Sequence, residues 1–300
     1  MSKEFLCNLC PRKCNIDRKT QFGYCGQSNV VKIARAELHH WEEPCISATS
    51  GSGTIFFSGC SLKCAYCQNY KLSHEGYGKE ISVFRLAEIF LELQNKGACN
   101  INLVSPTHFA LQIIEALKIS RDRLKIPVIY NTGGYENIST LRMLKDYIDI
   151  YITDIKYFDN VLGKLYSDAC DYFDISLQAA KEMVLQKKIL YDSNSVLKQG
   201  VVIRHLVLPG HRKDSIKILE KLKETFETDT FILSLMSQYT PNGYLNEHPE
   251  INRKITSFEY NSVLDAAIKL GFKHGYMQSK TSAEEKYTPP FDLSGVIKER

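Results

Sequence analysis

The stretch GSGTIFFSGCSLKCAYCQN, residues 51–69, joins a predicted strand to a loop that carries three cysteines. The run TIFFS is short, apolar and starts on a β-branched residue, which is typical of a buried strand. Cys60, Cys64 and Cys67 follow it with the spacing C-x3-C-x2-C. Three thiolates can hold a metal centre, but a four-ligand site needs one more group. Spacing alone leaves open whether another cysteine or a different molecule supplies that group.

The rest of the chain repeats a pattern of a short apolar strand followed by an amphipathic helix. Further strands are predicted at 100–105, 127–132, 149–157, 200–208 and 230–236. Helices are predicted at 82–96, 107–120, 136–146, 175–190, 212–225 and 257–270. Six strand–helix units predict an α/β fold with a parallel sheet covered by helices. Since a closed barrel has eight units, we expect a partial (β/α)6 barrel.

A short cysteine-rich segment with few periodic patterns precedes the barrel. We divide the chain into a metal-binding lobe at 1–50, the barrel at 51–280 and an extended tail at 281–300. Zinc would hold together a lobe that lacks a core, whereas a second iron–sulfur cluster could pass electrons to the first, and spacing does not distinguish them. The predicted ligands have the spacing C-x2-C-x3-C-x10-C and are Cys7, Cys10, Cys14 and Cys25.

The other cysteines stand apart from both groups. Cys45 is either an alternative ligand for the lobe or a buried free thiol. Cys99 and Cys170 are isolated in the sequence, and we expect both to be core thiols. In the adjacent segment HHWEEP, residues 39–44, we expect a packing interface between lobe and barrel, with a cap over the site as the alternative.

Composition and charge narrow the class of protein. The N-terminus has no apolar region of a secretory signal, and no apolar run is long enough to span a bilayer. We therefore expect a soluble, cytoplasmic protein without membrane partners. Ten cysteines in a reducing compartment indicate metal ligands rather than disulfides. A net charge of +4, mixed along the chain, is too weak to predict nucleic acid as a partner.

Polar residues interrupt the predicted strands near their carboxyl ends, where parallel α/β folds place their chemistry. Arg204 lies within an apolar strand, and a buried guanidinium needs a partner. Asp154, or a carboxylate or ribose oxygen of a cofactor, could serve. His205 points to the opposite face and is expected to be structural. The candidate site residues at these ends are Thr107, His108, Asn131, Thr132, Asp154, Lys156 and Arg204.

The loop GCSLKCAYCQN resembles the cluster loop of the radical S-adenosylmethionine (SAM) superfamily. The resemblance implies a [4Fe–4S] cluster on Cys60, Cys64 and Cys67, with SAM bound at the open iron and Tyr66 near the adenine. It implies an enzyme that cleaves SAM reductively, forms a 5′-deoxyadenosyl radical and abstracts hydrogen from a substrate. The partial barrel is the fold that the resemblance implies, in agreement with the strand count.

Further segments resemble proteins similar to pyruvate formate-lyase activating enzymes. These segments are CNLCPRKCNIDR, FGYCG, HHWEEPCIS, NINLVSPTHF, PVIYNTGGYE, DIYITDIKY, VIRHLVLPG and SLMSQYTP. The resemblance implies an oxidoreductase that takes electrons from a reducing partner such as flavodoxin or ferredoxin. For the substrate it leaves two options open: activation of a glycyl-radical enzyme, or modification of a small molecule, peptide or RNA, with the modest charge against RNA.

Glycyl-radical activating enzymes provide expectations for single residues. Asp154 and Lys156 match their Asp-x-Lys, in which the aspartate belongs to a monovalent-cation site beside the SAM carboxylate. Asn131 and Thr132 would complete that site, although Asn131 stands where those enzymes carry an aspartate. The Gly-Gly-Glu-type stretch that binds the amino group of SAM is replaced here by VSPTH. Ser105, Thr107, His108 or the backbone of this segment is expected to take over that contact.

Two interpretations from other classes compete with the enzyme. A non-catalytic iron–sulfur electron carrier or redox sensor would need a fourth protein ligand beside Cys60, Cys64 and Cys67. A zinc-ribbon module would contact nucleic acid through the lobe, for which the basic run PRK at 11–13 is the only signal.

Overall fold

A computed structural model describes residues 6–277 and 289–298 of the 300-residue chain. The described strands are β1 (Val31–His39), β2 (Ser52–Phe57), β3 (Lys79–Ile81), β4 (Ile101–Val104), β5 (Val128–Thr132), β6 (Ile150–Asp154), β7 (Leu190–Tyr191), β8 (Leu197–Leu206), β9 (Ile232–Met236) and β10 (Gly275–Met277). The described helices are α1 (Pro44–Ser47), α2 (Tyr70–Ser73), α3 (Val83–Asn95), α4 (Ala110–Ser120), α5 (Ile138–Leu144), α6 (Asn160–Ser167), α7 (Tyr172–Gln186), α8 (Arg212–Thr225) and α9 (Ser257–Leu270), with a 3-10 turn at Thr107–Phe109.

The strands form one sheet in the order β10, β9, β8, β6, β5, β4, β2, β1, β3, and β7 pairs with β8. From β10 to β2 each neighbouring pair is parallel, whereas β1 and β3 add to the other edge in antiparallel orientation. The six predicted strands are β2, β4, β5, β6, β8 and β9. The prediction of an α/β fold with a mostly parallel sheet, consistent with a partial barrel, is confirmed.

β1 lies in the segment where the sequence predicts few regular elements, and that expectation is wrong. Val31, Ile33 and Ala36 are buried, whereas the neighbouring Lys32 and Arg35 are partly exposed. A bulge between Ile33 and Arg35 shifts this alternation, which hides the two-residue period of a strand. The sheet therefore begins within the predicted lobe at 1–50, and the division at residue 50 stays a prediction.

The helices cover the outer face of the sheet and bury its apolar residues. α3 begins where the sequence predicts, because the Ser82 hydroxyl accepts a hydrogen bond from the Arg85 amide at 3.1 Å. Leu86, Phe90 and Leu93 are fully buried at helical spacing. Each such side chain contributes about 1.5–3 kcal/mol when it leaves water. α6, a helix of eight residues that the Asp159 side chain caps, was not predicted from the sequence.

The connection between β1 and β2 fills the interior of the partial barrel. Cys45 and Ile46 pack there against Ile129, Ile150 and Val202 from the inner face of the sheet. This placement favours the buried free thiol for Cys45 over its alternative as a ligand in the lobe.

The described part of the tail lies along β1. The Leu293 amide donates to the Ala34 carbonyl at 3.0 Å, and the Ala36 amide donates to the Ser294 carbonyl at 2.9 Å. Gly295 has φ +69°, and a Cβ there would lie 1.9 Å from the Ala36 oxygen, so this contact requires glycine. Of the predicted tail, residues 281–288, 299 and 300 lie outside the described residues.

Within residues 6–277 and 289–298, every helix is too short or too polar to cross a membrane.

Candidate active site

A cavity of about 260 Å³ opens at the carboxyl edge of the parallel strands. The strand ends contribute Phe56, Val104, Asn131, Thr132, Asp154, Arg204, Leu206 and Met236. The loops that follow the strands contribute Cys60, Leu62, Cys64, Tyr66, Cys67, Gln68, Asn69, Ser105, Gly133, Lys156 and Gln238. The remaining wall consists of His39, Trp41, Glu42 and Pro289.

The three cysteines of the loop after β2 line this cavity together. Gly59 precedes the first of them with φ +84°, and a Cβ there would lie 2.5 Å from the Cys25 carbonyl oxygen. The loop turns through a hydrogen bond from the Cys67 amide to the Cys64 carbonyl at 3.0 Å. Two donors point at sulfur: the Leu62 amide lies 3.4 Å from Cys60 Sγ, and the Ser167 hydroxyl lies 3.0 Å from Cys64 Sγ.

Tyr66 closes one side of the cavity within a group of tyrosines. Its ring contacts Tyr157, Tyr166 and Tyr239 at centroid distances of 5.8–6.4 Å. Its hydroxyl accepts a hydrogen bond from the Tyr157 hydroxyl at 2.8 Å. Burial raises the pKa of Tyr66 well above its ordinary value, so the phenol stays neutral.

Asp154 and Lys156 form an ion pair at the end of β6. Lys156 Nζ donates to Asp154 Oδ2 at 2.5 Å, and both side chains are less than a quarter exposed. Burial alone would lower the pKa of Lys156, but the Asp154 carboxylate raises it above its ordinary value. The Tyr172 hydroxyl fixes this turn by donating to the carbonyls of Asp154, at 3.0 Å, and Gly133, at 2.8 Å. The cavity therefore contains a cation and an anion at fixed positions.

Glu136 is a buried carboxyl behind this wall that the sequence analysis missed. It accepts hydrogen bonds from the hydroxyls of Thr107, at 2.5 Å, Thr132 and Tyr130, the last at 3.1 Å. Burial raises the pKa of Glu136 to about 7, although the three hydrogen bonds oppose the shift. It thereby fixes the Thr132 side chain in the cavity wall.

Thr107 and His108 lie behind the cysteine loop rather than on the main cavity. Both line a much smaller cavity with Ser61 and Leu62. His108 Nε2 is 2.7 Å from the Ser58 carbonyl, and burial lowers the pKa of His108 to about 3. A neutral imidazole in this position supports the end of β2. Their predicted contact with a cofactor stays a prediction.

Arg204 has a different partner from those that the sequence suggests. Its guanidinium binds Glu43 through Nε at 2.8 Å and Nη2 at 2.5 Å, and also binds Glu42. Asp154, the protein partner named from the sequence, pairs with Lys156 instead. Burial alone would lower the pKa of Arg204, but the carboxylates of Glu43 and Glu42 raise it above its ordinary value. The segment HHWEEP therefore lines the cavity as well as packing against the barrel.

His205 is buried on the other face, as predicted, and its Nδ1 lies 2.7 Å from the Ile155 carbonyl.

The lobe places its four cysteines near one another. Burial raises the pKa of Cys10 to about 12, and nearby Cys25 and Cys14 contribute to the shift in the same direction. Within residues 6–277 and 289–298, no three His, Cys, Asp or Glu side chains are arranged to hold a single metal ion.

Cys99 is partly buried, but Cys170 is exposed, so the expectation of a core thiol at 170 is wrong.

Comparison with known proteins places this chain in a family. The model described as Radical SAM superfamily matches residues 54–236. The uncharacterized protein MJ0674 of Methanocaldococcus jannaschii is 30% identical over 273 residues, which cover 88% of this chain and 74% of that protein. The chain belongs to the radical SAM superfamily, whose members are enzymes. The family implies a [4Fe–4S] cluster and SAM.

Solved radical SAM enzymes share the fold. SuiB of Streptococcus suis bound to SAM gives a TM-score of 0.51 at 15% identity, over 73% of this chain and 48% of SuiB. Methylornithine synthase, PylB, gives 0.52 at 16% identity, over 86% of this chain and 66% of PylB. This chain thus spans about half the length of SuiB and just under two thirds of PylB. At these identities the likeness concerns the fold alone.

Replacing Arg204 by Met should destabilise the protein strongly, because two carboxylates would stay buried without their cation. We expect the free energy of unfolding, measured by denaturant titration, to fall by about 3–5 kcal/mol. Arg142→Met, which removes an exposed ion pair to Glu182, is the matched control and should change little. Equal losses in the two variants would contradict a structural role for the buried group.

Proposed function

We propose that Cys60, Cys64 and Cys67 hold a [4Fe–4S] cluster whose fourth iron binds SAM. One observation carries the proposal: these three are the only thiols that line the cavity, although all ten cysteines of the chain lie within the described residues. An electron carrier or redox sensor would need a fourth protein ligand at this cluster. No other cysteine is placed to provide it, so the enzyme is favoured over that alternative.

The residues present fit such a cluster. Three thiols that face one cavity are the expected donor set. The Leu62 amide and the Ser167 hydroxyl, which donate hydrogen bonds to the sulfurs of Cys60 and Cys64, would remain as outer partners of the ligands and would orient them. When bound, the cluster and SAM supply a one-electron cleavage of the sulfonium and a 5′-deoxyadenosyl radical that removes a hydrogen atom from a substrate.

The ion pair and its neighbours would orient SAM. Lys156 supplies a positive charge for a carboxylate, and Asp154 with Asn131 and Thr132 supplies oxygen atoms suited to a cation. Tyr66 offers an aromatic wall for the adenine. Arg204 is bound to two carboxylates, so we assign it to the cavity wall rather than to the cofactor.

We further propose a protein or peptide substrate, as in activation of a glycyl-radical enzyme. The exposed rim of the cavity carries Trp41 and Gln68, and Asn69 and Gln238 lie just inside it. Carboxamides can both donate to and accept from peptide groups, and an indole gives a flat apolar contact. This neutral rim is suited to an uncharged segment of chain. A flavodoxin- or ferredoxin-type carrier is the proposed reductant.

The first test is SAM cleavage without substrate. Protein reconstituted anaerobically with iron and sulfide, then reduced with dithionite, should convert SAM to 5′-deoxyadenosine. Cys64→Ala should abolish the product, because the cluster loses a ligand. Cys170→Ala, at an exposed thiol, should retain it. Equal yields from both variants, or none from the wild type, would contradict the proposed site.

The substrate class can be tested by deuterium transfer. Cell extract prepared with deuterated amino acids is separated by size and added to the reaction. We expect deuterium in 5′-deoxyadenosine with the macromolecular fraction, and its loss when that fraction is first digested by protease. Transfer from the small-molecule fraction alone would contradict a protein substrate while leaving the radical chemistry intact.

A further inference from the structure

The four cysteines of the lobe lie directly behind the three-cysteine loop. Gly59 immediately precedes Cys60, and its backbone touches that of Cys25, since a Cβ on Gly59 would lie 2.5 Å from the Cys25 carbonyl oxygen. The backbone of Cys25 therefore contacts the residue that directly precedes Cys60. A redox group on the lobe would be a close neighbour of the proposed cluster.

The lobe also brings its own sulfur atoms together. A Cβ on Gly23 would lie 3.5 Å from Cys25 Sγ and 3.6 Å from Cys14 Sγ, so both sulfurs flank one residue. The Tyr24 amide donates a hydrogen bond to Cys14 Sγ at 3.4 Å, which fixes the position of that sulfur. Lys13 adopts φ +43°, and its amide bonds the Cys10 carbonyl at 3.1 Å, which turns the chain between two cysteines.

The barrel holds the lobe in place through several side-chain hydrogen bonds. Arg12, between Cys10 and Cys14 in sequence, donates to the carbonyls of Ser61, at 2.7 Å, Ser167, at 2.9 Å, and Asp168, at 2.5 Å. Two barrel side chains donate hydrogen bonds to the lobe: Thr140 to the Leu9 carbonyl and Asn137 to the Asn8 carbonyl. In the other direction, Arg18 of the lobe donates to the His108 carbonyl. A purely structural zinc ion would add little to an anchored lobe.

The arrangement of the donors agrees with this. The described residues contain no single-ion site, and this holds for the lobe as it does for Cys60, Cys64 and Cys67, where the family implies a cluster. A polynuclear cluster, whose ligands bind different metal atoms, does not require its four thiols to meet at one point.

We propose that Cys7, Cys10, Cys14 and Cys25 bind a second iron–sulfur cluster that relays electrons to the three-cysteine cluster. This inference rests on the proposed function. A reduced flavodoxin- or ferredoxin-type carrier gives one electron to the lobe cluster and is oxidised. The lobe cluster then gives that electron to the cluster on Cys60, Cys64 and Cys67. No bond or proton changes place in either transfer.

Metal content tests the site independently of SAM chemistry. The variant Cys60→Ala/Cys64→Ala/Cys67→Ala keeps all four lobe cysteines. After anaerobic reconstitution, we expect it to retain iron and sulfide and, when reduced, to show the electron paramagnetic resonance signal of an iron–sulfur cluster. Adding Cys10→Ala and Cys14→Ala should remove that signal. One zinc ion without iron, or no metal, would overturn the proposal even if the wild type cleaves SAM.

The wild-type protein gives a second measurement in case the triple variant does not fold. Two [4Fe–4S] clusters would bring about eight irons per chain, against about four for one cluster. We expect two signals in the reduced protein, of which SAM changes only one. About four irons, all in a cluster that responds to SAM, would overturn the lobe site.

The relay is tested by the choice of reductant. Cys10→Ala should slow 5′-deoxyadenosine formation at least about tenfold when reduced flavodoxin is the donor, because the protein donor loses its entry point. The effect should be smaller with dithionite, a small reductant that can reach the cavity. Cys170→Ala is the control. Unchanged rates with flavodoxin would exclude the relay, while a retained SAM effect on the spectrum would show that the three-cysteine site is intact.

Discussion

The buried group of Arg204, Glu42 and Glu43 is the interaction on which the shape of the site depends. A partial barrel leaves its interior open on one side. The connection between β1 and β2 enters that space, and the Arg204 guanidinium ties it to β8 through two carboxylates. Glu42 Oε1 also accepts a hydrogen bond from the side-chain Nδ2 of Asn102, on β4, at 2.8 Å. The group thus connects β8 with β4, and Arg204 and Glu42 of the group line the cavity.

This group has consequences for the chemistry. One cation and two carboxylates give the group of Arg204, Glu42 and Glu43 a net negative charge beside the cavity, while the Asp154–Lys156 pair is neutral. A positively charged ligand is therefore favoured in the cavity, and the sulfonium of SAM has that charge.

Much of the fold and part of the site could be predicted from the sequence. The parallel strands are recognisable in the sequence as short apolar runs, and the three cysteines follow one of these runs directly. The partner of Arg204 could not be found that way, because Glu42 and Glu43 are distant in sequence and the segment lacks a strand or helix period. Glu136 gave no signal either, since its burial depends on hydroxyls of Thr107 and Tyr130 that only the folded sheet brings together. β1 was not predicted because its bulge interrupts the two-residue alternation of buried and exposed side chains.

The central claim is that SAM binds the iron that the three cysteines leave open. The most direct measurement is electron–nuclear double resonance on the reduced wild-type protein with SAM labelled by 15N in its amino group and 17O in its carboxylate. We expect hyperfine coupling from both labels, because the labelled atoms would be bound to iron. Absence of coupling from either label, in protein that holds an intact cluster and binds SAM, would contradict it.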